Sequence, residues 1–377
     1  MRVAVIGVGQ IPSEECKGDV FSDQSALIAK TALADAALDI GQINNVVAGE
    51  YDLVTGRTAE HMYTVPAAGG YLKDEIRIND DGLFALAQAF MGIMAGEFET
   101  TLVISTGISS EGPQELVTNM RLAPFYHRHL GLHEKLANGM QAFQYREKYG
   151  ITESQSAKVA VKNRNNALKN PFAHLRKKVT ETDVLHSAFD CWPVRTLERA
   201  PWSDGGCAVV LANEPFARRI CRNPVWLEGI GWSNHTYYLE DKDLSELTAT
   251  KHAARAAYKM AGIEDPAGDI DVAEVYDITT YHELMACEAL GFCKKGEGSR
   301  LIDEEMTVID GKLPVNPSGG VLSSNPLSAS GLARFVECVL QLRGDAKDHQ
   351  VKDVKTALAH CISGYGAQRS CVVIARR

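Results

Sequence analysis

The sequence predicts an α/β protein assembled from two similar halves, with a polar excursion between them. Three observations predict it. Short apolar strand patterns alternate with amphipathic helix patterns along the chain, the layout of a sheet covered by helices. At 377 residues the chain exceeds what one core of ordinary size holds. A stretch of the first half is also echoed in the second: Asp81-Gly82-Leu83 and Ser330-Gly331-Leu332 each open an apolar helix. Those helices end at Ala95-Gly96 and Arg343-Gly344, and strands beginning at Thr101 and Thr356 follow.

The elements follow in order. Val3–Ile6 is a short apolar strand. Asp23–Leu38 carries Ala, Leu and Ile three and four apart and reads as a helix, and Val46–Ala48 as a strand. Gly82–Ala95 is a helix rich in Ala, Leu and Met, and Thr101–Ser105 a strand. The segment from about Gly107 to Trp202 is polar and basic in places. Cys207–Leu211 then reads as a strand returning to the first sheet, and a new half begins near Pro224. The expected division is residues 1–106 with 203–223, an inserted segment 107–202, and residues 224–377.

Composition narrows the function classes. Lys and Arg number 39 against 48 Asp and Glu, a net charge of −9, which disfavours nucleic acid and acidic membranes as partners. No apolar run approaches a membrane span, and Arg2–Gly7 reads as a buried strand, not a leader, so a cytoplasmic location is expected. The nine cysteines form no Cys-x-x-Cys and are expected as reduced thiols without a zinc site. Gly7-Val-Gly9 lacks the third glycine of a dinucleotide fingerprint. His127, His129 and His133 lack a carboxylate in helical register, so no metal site is expected there.

Motifs in a fixed order carry the functional signal: Val159-Ala-Val-Lys-Asn-Arg-Asn-Asn-Ala167, Ser203-Asp-Gly-Gly-Cys-Ala-Val-Val210, Glu274-Val-Tyr-Asp-Ile-Thr-Thr280, Asn316-Pro-Ser-Gly-Gly through Gly331, and Cys361-Ile-Ser-Gly-Tyr-Gly366. Together they resemble the thiolase superfamily, in its sterol-carrier-protein-type branch, over essentially the whole chain. The resemblance implies a five-layered α-β-α-β-α thiolase fold of two similar halves, and a loop domain, residues 107–202, that covers coenzyme A. It implies coenzyme A as a substrate moiety, with no permanently bound cofactor, and a homodimer.

The reacting positions depart from the pattern. The resemblance places a nucleophilic Cys where Asn79 stands in Asn79-Asp-Asp-Gly-Leu83, and an amide cannot serve as that nucleophile. It places the activating His where Asn325 stands, either a turn residue before Pro or an amide donor to a thioester oxygen. Asp81 is either a helix N-cap or a carboxylate facing the pocket. Cys361 corresponds to the acid/base cysteine, against a plain reading as a buried thiol. Tyr276 stands where this branch usually has His, and Tyr365 has no counterpart in the family's Gly-rich loop, so either phenol is a candidate acid or base. Ser203, Arg164, Arg176 and Lys178 are candidates for coenzyme A contacts, against a plain reading of the basic residues as solvated charges.

Related thiolase-like aldolases lack the nucleophile, use tyrosines around this pocket and work with a small zinc-ribbon/OB-fold partner. The resemblance therefore favours carbon–carbon bond cleavage or formation on a CoA thioester without an acyl-Cys step, with retro-aldol cleavage of a β-hydroxyacyl-CoA foremost. A thiolase-type acyltransferase working with a partner subunit and a non-catalytic CoA-binding subunit are the alternatives.

Overall fold

A computed structural model describes residues 2–18 and 20–377. Its strands are β1 (Val3–Glu14), β2 (Asn45–Gly49), β3 (Asp74–Ile78), β4 (Thr100–Ile108), β5 (Phe189–Cys191), β6 (Val194–Arg195), β7 (Asp204–Asn213), β8 (Val225–Asn234), β9 (Val272–Glu274), β10 (Thr356–Ser363) and β11 (Arg369–Arg376). β5 and β6 form a separate two-stranded hairpin. The other strands form one sheet in the order β3-β2-β4-β7-β1-β8-β11-β10-β9.

The order contains a repeat. The first half reads β3-β2-β4-β7-β1, with the first two pairings parallel and the last two antiparallel. In the second half, Val315 bridges β9 in parallel, β9 pairs β10 in parallel, and β10, β11 and β8 follow antiparallel. Among the described residues, the two half-sheets pair strand to strand through Val3–Val5 of β1 and Val225–Leu227 of β8. The returning strand is longer than its apolar core suggests, because Asp204, Gly205 and Gly206 also pair, with β4.

Layering follows from which faces are apolar. The helix Phe21–Asp35 packs on one face of the first half-sheet and Thr248–Ala261 on one face of the second. Between the half-sheets lie two helices that begin at the repeated motif, Gly82–Met94 and Ser330–Arg343. The second of these is buried over nearly its whole length, and β4 and β10 are buried at every residue. Strands covered on both faces need such unbroken apolar runs. The result is the helix-sheet-helix-sheet-helix stack of the thiolase fold.

The central helices meet closely at their N-termini, and glycine permits it. A Cβ on Gly82 would lie 2.8 Å from Ser105 Cβ and 2.9 Å from Leu332 Cβ. A Cβ on Gly331 would collide with the Asp81 carboxylate and lie 2.5 Å from Cys361 Cβ. Any larger residue would push the two N-termini apart.

A buried polar network ties the inserted segment to the second half. Lys162 pairs with Glu283 at 2.9 Å and donates to the Val315 carbonyl at 2.7 Å. Asn163 donates to Asp277 and Glu283 at 2.7 and 2.6 Å, and Asn316 donates to Glu283 at 2.9 Å. Glu274 accepts from the Ser318 backbone and hydroxyl and pairs with Arg334, while Asp277 accepts from the Val321 N–H. These motif residues spend their polar groups on holding the Asn316–Gly320 turn, as buried polar groups must.

Candidate functional site

The site is built where the central helices converge. Asp81 caps its own helix, accepting the Leu83 N–H on Oδ1 at 2.8 Å. Its Oδ2 accepts the Gly331 N–H of the other central helix at 2.7 Å. One carboxyl thus answers two helix N-termini, each of which presents free N–H groups and a positive dipole end. Of the two readings of Asp81, the N-cap is what the structure shows; the carboxyl is fully buried and lines neither of the cavities described below. Burial raises its pKa to about 8, against the lowering by the two backbone donors.

Cys361 meets Asp81 beside Gly331. β10 begins at Thr356, as the sequence predicts, and runs through Cys361 to Ser363, so this side chain is held inside a strand. Burial first, and then the nearby Asp81 charge, push its thiol well above the ordinary range. Cys207 and Cys371 are likewise buried near Asp81 and likewise raised. A thiol in such a setting keeps its proton and is a poor nucleophile.

Asn79 lines a cavity of about 390 Å³ with Tyr51, Arg121, Arg128, Tyr237, Tyr365 and Arg369. Tyr51 links this cavity to the centre: its hydroxyl donates to Asp80 at 3.1 Å and lies 2.9 Å from Ser363 Oγ. Asp80 also accepts from the Asp81 N–H at 2.8 Å and pairs with Arg369 at 2.7 Å. Tyr276 is buried within electrostatic reach of Tyr51, Asp81 and Cys361. Burial raises its pKa. Tyr365 lines the cavity, but its hydroxyl donates to the Thr118 carbonyl at 2.8 Å. That bond occupies the proton a reacting group would need.

Asn325 lies on the other side of the helix N-terminus. Its Oδ1 accepts from Ser330 Oγ at 2.7 Å, while its buried Nδ2 has no partner. An unpaired buried donor is costly. The Asn325 backbone bonds Ser203, whose hydroxyl lies 2.8 Å from His174 Nδ1. Ser203 therefore adjoins a larger cleft, about 740 Å³, lined by Cys16, Ser109, Ser110, His174, Leu175 and Trp202. Between this cleft and the first cavity stands Glu134, which accepts from Trp202 Nε1 at 3.2 Å and acts electrostatically on Arg121, Tyr276 and Tyr365.

The basic candidates separate. Arg164 is 3% exposed and donates to the carbonyls of Leu197 and Arg199, so its guanidinium ties the inserted segment's own backbone. Burial lowers it to about 10. Arg176 and Lys178 are exposed and follow Leu175 of the larger cleft directly in sequence. His127 pairs with Glu240 at 2.7 Å. Sequence reasoning missed Tyr51, Arg121 and Glu134. Tyr51 follows the C-terminal end of a parallel strand, where sites gather in α/β sheets, and that signal was available. Arg121 carried none.

Comparison with known proteins agrees with this architecture. Residues 231–376 match the thiolase C-terminal domain-like family model. The chain is 33% identical to an acetyl-CoA acetyltransferase of Methanothermobacter thermautotrophicus over 388 aligned positions, spanning 99% of both chains. It is 30% identical to human sterol carrier protein 2, covering 97% of this chain and 70% of that one. Among solved structures, an Ltp2-ChsH2(DUF35) aldolase superposes with a TM-score of 0.84 at 22% identity, covering all of this chain and 98% of that one. The chain belongs to the thiolase superfamily, in its sterol-carrier-protein type. No helix among the described residues is long and apolar enough to cross a membrane.

Proposed function

We propose that this protein breaks, or in reverse forms, a carbon–carbon bond next to a CoA thioester without an acyl-cysteine intermediate. Retro-aldol cleavage of a β-hydroxyacyl-CoA is the reaction. One observation carries this reading: Asn79 replaces the family's nucleophile, and the thiols near the site, Cys207, Cys361 and Cys371, are buried with raised pKa values. None is an activated thiolate, whereas a retro-aldol reaction needs only a base, a proton donor and an oxyanion site.

Tyr276 meets the β-oxygen and passes its proton toward Asp81. The β-carbon becomes a carbonyl as the Cα–Cβ bond breaks, and the electron pair moves onto the thioester as an enolate. The Asn325 Nδ2 donor, unpaired in the chain, holds that oxygen. The Cys361 thiol then protonates the α-carbon and recovers its proton from Asp81. Coenzyme A lies along the larger cleft past Ser203, with Arg176 and Lys178 at its rim for phosphate. The protein works as a homodimer, with a small zinc-ribbon/OB-fold protein as the further partner of the assembly.

The whole-length likeness to the Methanothermobacter acetyl-CoA acetyltransferase favours a second reading, acyl transfer to or from CoA with a partner subunit. Incubation with a β-hydroxyacyl-CoA separates the two. Release of an aldehyde or ketone independent of free CoA is expected. Turnover of a β-ketoacyl-CoA that requires free CoA would overturn it in favour of acyl transfer.

A further inference from the structure

The cavity beside Asn79 holds charges that the proposed reaction does not use. Arg121 is half-buried there, its guanidinium 4.5 Å over the Tyr51 ring and 5.9 Å from the Tyr365 ring. It forms no ion pair among the described residues, although Asp80 and Glu134 act on it from a greater distance. Arg128 lines the same cavity and, among the described residues, donates to the Met120 and Leu122 carbonyls and has a buried Nε with no partner. The remaining charges there are already matched, Arg369 to Asp80 and Asp52 to Arg77. In a chain of net charge −9, a half-open cavity with two guanidiniums that form no ion pair suits an anion.

We propose that this cavity recognises a carboxylate on the acyl portion of the substrate, so that the protein acts on CoA thioesters whose acyl chain bears a second acid group. The inference rests on the acyl-CoA reading above. Position argues for the acyl chain as the source of the anion, over the CoA phosphates. Tyr51, on which Arg121 stacks, bonds Asp80 and Ser363, the immediate neighbours of the Asp81–Cys361 centre. An anion at Arg121 is thus a few bonds from the reacting thioester, whereas the pantetheine arm separates that thioester from every CoA phosphate. The tyrosine faces make a planar, partly desolvated slot in which the Arg fork is preorganised for a carboxylate.

Calorimetric titration of the full-length protein with succinyl-CoA, butyryl-CoA, CoA and 3′-dephospho-CoA tests this. Succinyl-CoA is expected to bind about ten-fold or more tighter than butyryl-CoA, the scale of a charge-assisted hydrogen-bond pair. In Arg121→Gln that ratio falls to near one, and in Arg121→Lys, which keeps the charge without the fork, it is partly retained. Equal binding of succinyl-CoA and butyryl-CoA to the unaltered protein overturns the inference and leaves the acyl-CoA reading standing. An Arg121→Gln loss equal for succinyl-CoA, butyryl-CoA and CoA, matched by the loss on removing the 3′-phosphate, assigns the cation to CoA and also overturns it. Binding of none of the four sinks both readings.

Discussion

At the residue scale, two environments decide the chemistry. Cys361 is fully buried, while Cys16 is exposed. Native protein treated with iodoacetamide near neutral pH should label at Cys16 and leave Cys361 untouched until unfolding, because alkylation needs an accessible thiolate. Peptide mapping that finds Cys361 labelled as fast as Cys16 would contradict its protonated state. Asp81 makes the second environment. Asp81→Asn places an amide donor against one of two N–H groups and should cost about 1–3 kcal/mol in urea unfolding. As the proton acceptor it also sets a pH limb: turnover should rise through about pH 8 as Asp81 ionises, and Asp81→Asn should flatten that limb. The motif residues were legible one by one from the sequence because their order is distinctive. The partners they use were not: that Asp81 caps both central helices depends on an approach 250 residues distant in sequence.

At the element scale, the paired helix N-termini are the device that makes a buried carboxyl tenable. Gly331→Ala would drive a methyl into Asp81 and Cys361 and should lower stability by about 1–3 kcal/mol or more, read as a shift in the urea midpoint. A neutral Gly331→Ala would contradict the close approach. Helices and strands were readable from apolar periodicity, with errors at their ends. β10 outlasts its apolar run because Ser363 still pairs with Arg369, and β7 begins early because glycines and an Asp can join a ladder whose neighbours are already fixed. Such extensions come from tertiary pairing, which local pattern does not encode.

At the scale of the whole molecule, buried titratable groups give stability a pH dependence. Burial raises Glu50 to about 7, and Glu60 and Asp81 to about 8. Above their unfolded values of 4.5 and 3.8, the unfolded chain binds fewer protons at these groups than the fold does. Their contribution is whole below the unfolded pKa and is lost as pH rises through the folded one. His282 and His360, pushed by burial from 6.5 to about 3, act in the opposite sense, but only below about pH 6.5. The melting temperature should therefore fall between about pH 6.5 and 8.5, and replacing Glu50 and Glu60 by Gln should shallow that fall. A melting temperature that rises over this range would contradict the protonated carboxyls. The duplication was visible in sequence as an echo of two helix starts, and the strand order extends it to the whole sheet. The joining of the half-sheets through three residue pairs had no local signal.

On the proposed retro-aldol route, chemistry on a CoA thioester proceeds without acylating the protein. Intact-protein mass spectrometry under denaturing conditions, after incubation with acetyl-CoA and with a β-ketoacyl-CoA, tests it most directly. The unmodified mass throughout is the predicted result. A stoichiometric acyl adduct that maps to any of the nine cysteines would contradict it.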